Sequence, residues 1–294
     1  MKLQGIFPPI TTPFDHKGDI WKVKVEHNIA KLNLTGVTGY VVGGSTGESA
    51  LLSKDEKIQL WEWVAEFRAP EKLLIAGTGS EGVRSTVTLT NRAAEIGYQA
   101  ALVLTPHYYK SLFNRSEAQK LFYGAVADQA KIPVLIYNLP QNTGVDIAPE
   151  AVAELSYHPN IIGIKESSGN LEKALQMIRE CKPGFQVLVG SSGTLAASLA
   201  AGAAGGILGF ANVAPYACIS IWEAHRTREP EAAADWQSRI LRPARLVTRQ
   251  YGIPGLKYAM DLAGYYGGPP RLPFAPPSVQ AKREIEEAFA DLRG

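Results

Sequence analysis

The sequence predicts an α/β chain whose parallel strands close into a (β/α)8 TIM barrel over residues 1–226, with a C-terminal helical extension over 227–294 packed on it. Three observations predict this. Eight short apolar runs recur at roughly 20 to 35 residues, and nearly every interval carries a helical pattern, the alternation of a parallel sheet. The runs occupy about 225 residues, which suits a closed barrel better than an open doubly wound sheet. From Pro230 onward nothing reads as a strand, only helical runs broken at Gly252–Gly255 and Tyr265–Pro277 and ending in Val279 to Leu292.

In order, the candidate strands are Gly5–Phe7, Tyr40–Val42, Leu73–Ala76, Ala101–Leu104, Val134–Tyr137, Ile161–Lys165, Gln186–Val189 and Gly206–Leu208. Each is a short, largely uncharged run, as strands buried on both faces require. Between them, Ser53-Lys54-Asp55-Glu56 reads as a capping box before Ile58, Leu60, Trp61 and Val64. Ser116-Glu117-Ala118-Gln119 repeats the device before Leu121 and Phe122, and Pro149 suits a first helical turn. The low-charge stretch from Thr194 to Ala214 is rich in Ala and Gly and interrupted by glycines and Asn212, so it reads as tight packing and not as a membrane span.

Composition narrows the function. With 46% hydrophobic and 20% charged residues and a formal net charge of +2, the chain is globular, and its scattered Lys and Arg leave no footprint for nucleic acid or a membrane surface. Two cysteines, Cys181 and Cys218, exclude a disulfide framework and fit a reducing compartment. The first residues show no apolar segment with a cleavage site, so a cytoplasmic protein is expected. Five histidines without metal-ligand spacing predict no metal site. The expected partner is a small molecule.

In such barrels the chemistry sits at the carboxyl ends of the strands. Strand two ends in Gly43-Gly44-Ser45-Thr46-Gly47-Glu48, strand four in Thr105-Pro106-His107-Tyr108-Tyr109 and strand five in Tyr137-Asn138-Leu139-Pro140. Strand six ends in Lys165-Glu166-Ser167, strand seven in Gly190-Ser191-Ser192-Gly193 and strand eight in Gly209-Phe210-Ala211-Asn212. A lysine ending a buried apolar run stands out. An ammonium there is costly to desolvate, and a free amine attacks ketones. The same lysine could simply snorkel from the strand end into water. Gly-Gly-Ser-Thr-Gly can form an anion nest suited to a carboxylate, or be a plain turn. Tyr137 could relay protons or pack at the rim, and Tyr108 and Tyr109 could be surface aromatics.

Together these positions resemble a known family. Gly-Ser-Thr-Gly-Glu at 44–48, Tyr-Asn-Leu-Pro at 137–140 and Gly-Ile-Lys-Glu-Ser at 163–167 are similar to the signatures of the dihydrodipicolinate synthase and N-acetylneuraminate lyase family. The resemblance implies a lysine Schiff base with a 2-oxo acid such as pyruvate, an aldehyde as second partner, and no cofactor or metal. It implies Lys165 as the Schiff-base lysine, Tyr137 as the proton relay acting with Thr46, and Ser45 and Thr46 as the carboxylate-binding pair. Tyr108 is implied as a residue lent by a neighbouring subunit, in a homo-oligomer expected to be a dimer of dimers, and Ile207 as a backbone carbonyl lining the pocket.

Within the family, the synthase branch holds its aldehyde's carboxylate with an arginine where this chain has Asn142, and sialic-acid lyases carry an Asp-Glu pair where it has Ser192-Gly193. The mitochondrial-type 4-hydroxy-2-oxoglutarate aldolases look closer. Asn142-Thr143-Gly144, the Gly190-Ser191 turn, and Tyr251-Gly252-Ile253-Pro254-Gly255-Leu256-Lys257 all resemble that branch, which implies substrate contact by Ser167, while Thr46 departs from its usual asparagine. Aldol cleavage of a short 4-hydroxy-2-oxo acid is therefore the first expectation. The synthase reaction and a 2-keto-3-deoxy sugar-acid aldolase follow, with a phosphate-ligand barrel enzyme or a silent binding barrel as readings from other classes.

Overall fold

In a computed structural model, which describes residues 1–290 and Leu292, the eight apolar runs form eight strands. They are β1 (Gly5–Phe7), β2 (Gly39–Val42), β3 (Leu73–Gly77), β4 (Ala100–Leu104), β5 (Val134–Asn138), β6 (Ile161–Glu166), β7 (Gln186–Val189) and β8 (Gly205–Ile207). All pairings are parallel, in the order β1-β8-β7-β6-β5-β4-β3-β2. The ring closes just beyond β1, where Val41 N donates to the Pro8 carbonyl (3.1 Å) and Ile10 N donates to the Val41 carbonyl (2.9 Å). The result is a TIM barrel with helices around it and a helical C-terminus.

Alternation along the strands divides the apolar side chains into two layers. Leu135, Tyr137, Leu188, Ile207, Val41 and Phe7 fill the barrel interior. Val134, Ile136, Ile161 and Ile164 face outward onto Phe122, Val126, Val152 and Met177 of the surrounding helices. β6 breaks strict alternation. Ile161 pairs with Val134 but Gly163 pairs with Leu135, so Ile162 is an extra residue, a β-bulge. Beyond it Ile164 lies beside Ile136 and Lys165 beside Tyr137, which carries Lys165 to the interior. Gly163 permits the close approach, since a Cβ there would fall 2.3 Å from the Gln186 carbonyl oxygen.

The first expected capping box forms: Glu56 N donates to Ser53 Oγ (3.2 Å) and Ser53 N to Glu56 Oε2 (2.8 Å), opening the helix Lys54–Phe67. The second does not. Ser116 is already inside the helix Ser116–Gln129, and the buried Gln119 amide turns away to the Phe113 carbonyl (2.7 Å). The Gln119 side-chain nitrogen is thereby paired, while its Oε1, the atom a cap would use, is left buried without a partner among the described residues. Pro149 opens its helix as expected.

The C-terminal region differs from the sequence reading at one break. Helix Pro230–Arg245 passes into a π-helical turn, Leu246–Gln250, and Gly252–Gly255 then begins helix Gly252–Leu262 instead of interrupting one. Pro254 lies within that helix's first turn, where a missing N–H removes no helical bond. Tyr265–Pro277 is irregular as expected, and the last helix is Val279–Ala290. Its expected continuation through Asp291 lies outside the described residues, as do Arg293 and Gly294 of the extension.

This region reaches back onto the barrel top. Arg271 makes a two-nitrogen ion pair with Glu56 (2.5 and 2.9 Å) and donates to the carbonyls of Gly18 and Leu51. The guanidinium holds the Glu56 carboxyl down at about 2, below the usual carboxylate range. Lys257 is fully buried, 2.6 Å from Glu48 Oε1, and donates to the carbonyls of Thr12 (2.9 Å) and Pro269 (3.1 Å). Glu48 is the residue that follows the Ser45–Gly47 turn, so the C-terminal helices pin that turn.

Candidate active site

Lys165 and Tyr137 are register partners on β6 and β5, each only 4% exposed, with the Lys165 amine 4.1 Å from the centre of the Tyr137 ring. Ser167 sits one step beyond β6, its Oγ buried with no hydrogen-bond partner among the described residues. Gly190, at the end of β7, is what lets these groups converge. A Cβ at that position would fall 1.8 Å from Ser167 Oγ and 3.2 Å from Lys165 Cε. An unsatisfied hydroxyl beside a buried amine is a polar site awaiting a partner.

Ser45 and Thr46 come in from β2 on a 3-10 turn, Ser45–Gly47. Gly43, at φ +75°, makes the reversal that a side chain would strain. The amides of Gly47 and Glu48 close the turn on the carbonyls of Gly44 (3.0 Å) and Ser45 (3.1 Å), leaving those of Ser45 and Thr46 outside it. Ser45 and Tyr137 share the wall of a cavity of ≈30 Å³, and Thr46 Oγ1 lies 3.6 Å from where a Cβ of Gly209, just past β8, would sit. Ile207, two residues earlier, ends β8 in the interior. The structure thus draws Lys165, Tyr137, Ser45, Thr46, Ser167, Gly190 and Ile207 to one end of the barrel.

Two expected residues lie apart. Tyr108 is 77% exposed, stacked edge-to-face on Tyr109 at 5.1 Å, in a loop held by Glu81 through the amides of His107 and Tyr108 (both 3.0 Å). Asn142 is exposed on the short helix Pro140–Thr143. Its neighbour Gln141 makes the contact instead, donating to the carbonyls of Ser167 (2.7 Å) and Ser168 (3.1 Å).

Several groups around the site were not foreseen from the sequence. Glu166, next to Lys165 but facing the other way, accepts from Asn138 (2.8 Å) and from the Ser168 amide (2.6 Å), fixing the end of β6 against β5. Lys57, on the helix after β2, also lines the small cavity with Tyr137, and burial lowers its amine below the usual lysine range. Glu48 could have been suspected as the acid closing Gly-Ser-Thr-Gly-Glu, but nothing local points to Lys257. The π turn brings Thr248 to 3.8 Å from a Cβ position on Gly209, the same point that Thr46 approaches to 3.6 Å. Beyond them a groove of ≈1060 Å³ runs between the loops after β6 and β7 and the segment 241–250, with Arg242, Arg245 and Arg249 on its wall.

A family model described as "Dihydrodipicolinate synthetase family" matches residues 2–291. A 4-hydroxy-tetrahydrodipicolinate synthase of Exiguobacterium sp. (strain AT1b) is 34% identical over 289 residues, 97% of this chain and 96% of that one. A probable mitochondrial 4-hydroxy-2-oxoglutarate aldolase of Emericella nidulans is 35% identical over 292 residues, covering 98% and 94%. Among solved structures, a prophage protein of the dihydrodipicolinic acid synthase family from E. coli K12, in complex with pyruvate, superposes with a TM-score of 0.93 at 27% identity, over 99% of each chain.

Proposed function

The chain belongs to the dihydrodipicolinate synthetase family, whose members are lyases and synthases working through a lysine Schiff base, and from that premise we propose that it cleaves a short 4-hydroxy-2-oxo acid, 4-hydroxy-2-oxoglutarate or a close analogue, to pyruvate and an aldehyde such as glyoxylate. The observation that carries the chemistry is the buried Lys165 amine beside Tyr137 and the orphaned Ser167 hydroxyl. The amine adds to the C2 ketone, water leaves, and a cationic imine forms. Loss of the C4 hydroxyl proton then breaks the C3–C4 bond. Its electron pair enters the imine as an enamine, and the aldehyde departs. Protonation at C3 and hydrolysis return pyruvate and the amine.

Tyr137, with Thr46, carries the protons of these steps, and Ser45 and Thr46 hold the substrate's C1 carboxylate at the turn after β2. Ser167 contacts the C4 hydroxyl, Gly190 leaves room for it, and the Ile207 carbonyl lines the pocket. No metal or organic cofactor enters this scheme.

The identities of 34% and 35% to a synthase and to an aldolase do not separate the two reactions. Asn142 supports the aldolase over the synthase, because the arginine with which the synthase branch holds its aldehyde is replaced there by a neutral amide, which is not a conservative exchange. Two measurements test the reading. Borohydride with pyruvate should add one reduced pyruvate to Lys165 by peptide mapping, and glyoxylate should exceed aspartate semialdehyde as acceptor in kcat/KM. An unlabelled protein refutes the Schiff base; a tenfold advantage for the semialdehyde, about 1.4 kcal/mol of transition-state preference, transfers the assignment to the synthase.

Assembly belongs to the same reading. Tyr108 and Tyr109 expose a large aromatic surface at a loop tip, and self-association, with Tyr108 completing a partner's site, is what such a surface suits. Mixed oligomers of Lys165→Ala and Tyr108→Phe chains should recover activity that neither variant has alone, and sedimentation should show dimers or tetramers. A fully active monomer overturns it.

A further inference from the structure

Resting on the reading above, we propose that Arg249 binds the distal carboxylate of the substrate and makes the enzyme selective for a 2-oxo acid that ends in a second carboxylate. Such a carboxylate, drawn toward a buried site, needs a cation within reach. Asn142 is neutral and offers none, and like it Arg249 is exposed at the surface of the groove. The groove beside the site offers three arginines, Arg242, Arg245 and Arg249. It adjoins the site along the chain: Gly190, just past β7, borders Lys165 Cε and Ser167, and the next residues, Ser191 to Thr194, line the groove.

Arg249 is the arginine best placed. Its Nη2 would be 2.4 Å from a Cβ on Gly169, and Ser191 Oγ 4.0 Å from the same point, so the guanidinium lies over the loop that follows β6. The bare glycine, at φ +77°, makes that approach possible. Arg242 is 3.8 Å from Glu287, whereas Arg249 makes no ion pair among the described residues. Glu284, also on the groove wall, is engaged by the Tyr251 hydroxyl (2.6 Å) and by Gln280 (3.0 Å). Arg249 is carried by the π turn, a rare irregularity often found at functional sites, and Thr248 of the same turn faces Gly209 alongside Thr46. One turn therefore borders both the substrate's first carboxylate and the groove.

The test compares kcat/KM for cleavage of 4-hydroxy-2-oxoglutarate and of 4-hydroxy-2-oxopentanoate, which replaces the distal carboxylate by a methyl group. Arg249→Ala should lower the preference for the dicarboxylate by roughly 30- to 100-fold, through KM, with the methyl analogue changed less than about threefold. Arg249→Lys should recover part of it, since an ammonium keeps the charge but not the fork. Equal losses on both substrates, no loss on either, or a wild type without preference for the dicarboxylate overturns the proposal. Borohydride trapping with pyruvate in the same samples separates the two claims. A wild type that forms no adduct fails the Schiff-base reading, while adducts in every variant with an unchanged preference fail the assignment of Arg249 alone.

Discussion

Replacement of Lys165 by alanine is expected to lower kcat by roughly 10⁴-fold or more, at about 1.4 kcal/mol per tenfold, because the covalent route through the β6 amine disappears. The fold should tolerate the change. The structure gives the Lys165 amine a contact with the Tyr137 ring, worth about 2 kcal/mol, so the melting temperature should fall by several degrees while the chain still folds. Steady-state kinetics with circular dichroism melts decides the matter. A variant retaining a tenth of the wild-type rate would remove Lys165 from the chemistry.

Lys257→Met carries the second large effect, on stability instead of on the chemical step. Glu48 and Lys257 are both buried, and removing the cation leaves a carboxylate with no counter-charge in the interior, a loss of about 3–5 kcal/mol. At 2–4 °C per kcal/mol that is a fall of about 6 to 20 °C in Tm. The double variant Glu48→Gln, Lys257→Met should lose less than the sum of the single changes, since it buries no unpaired charge. Pyruvate KM should rise in Lys257→Met, because Glu48 anchors the turn that bears Ser45 and Thr46. A single variant melting within a degree of wild type would show that the pair does not hold the turn.

The barrel was legible because parallel strands buried on both faces write themselves as bare apolar runs, and all eight strands end within one residue of where those runs end. The cluster of Lys165, Tyr137, Ser45, Thr46, Ser167 and Gly190 followed from the rule that strand ends share one face. What stayed hidden depends on contacts distant in sequence. Gln119 gave up a helix cap for a buried carbonyl, Lys257 found Glu48 across most of the chain, and Arg249 reached the groove through a π turn that no local pattern announces. Gly252 and Pro254 read locally as a break, yet a proline in a first turn starts a helix as readily as it ends one.

The bulge at Ile162 shows how much depends on counting. Ile161 points to the helices, and strict two-residue phase would send position 165 the same way, into a hydrocarbon layer closed to any substrate. One supernumerary residue reverses the phase, so the amine emerges on the inner wall. The strand therefore behaves like a message with a frameshift written into it. A length change between Ile161 and Gly163 transposes the nucleophile from one side of the sheet to the other, whereas the same change after Ser168 merely lengthens a loop.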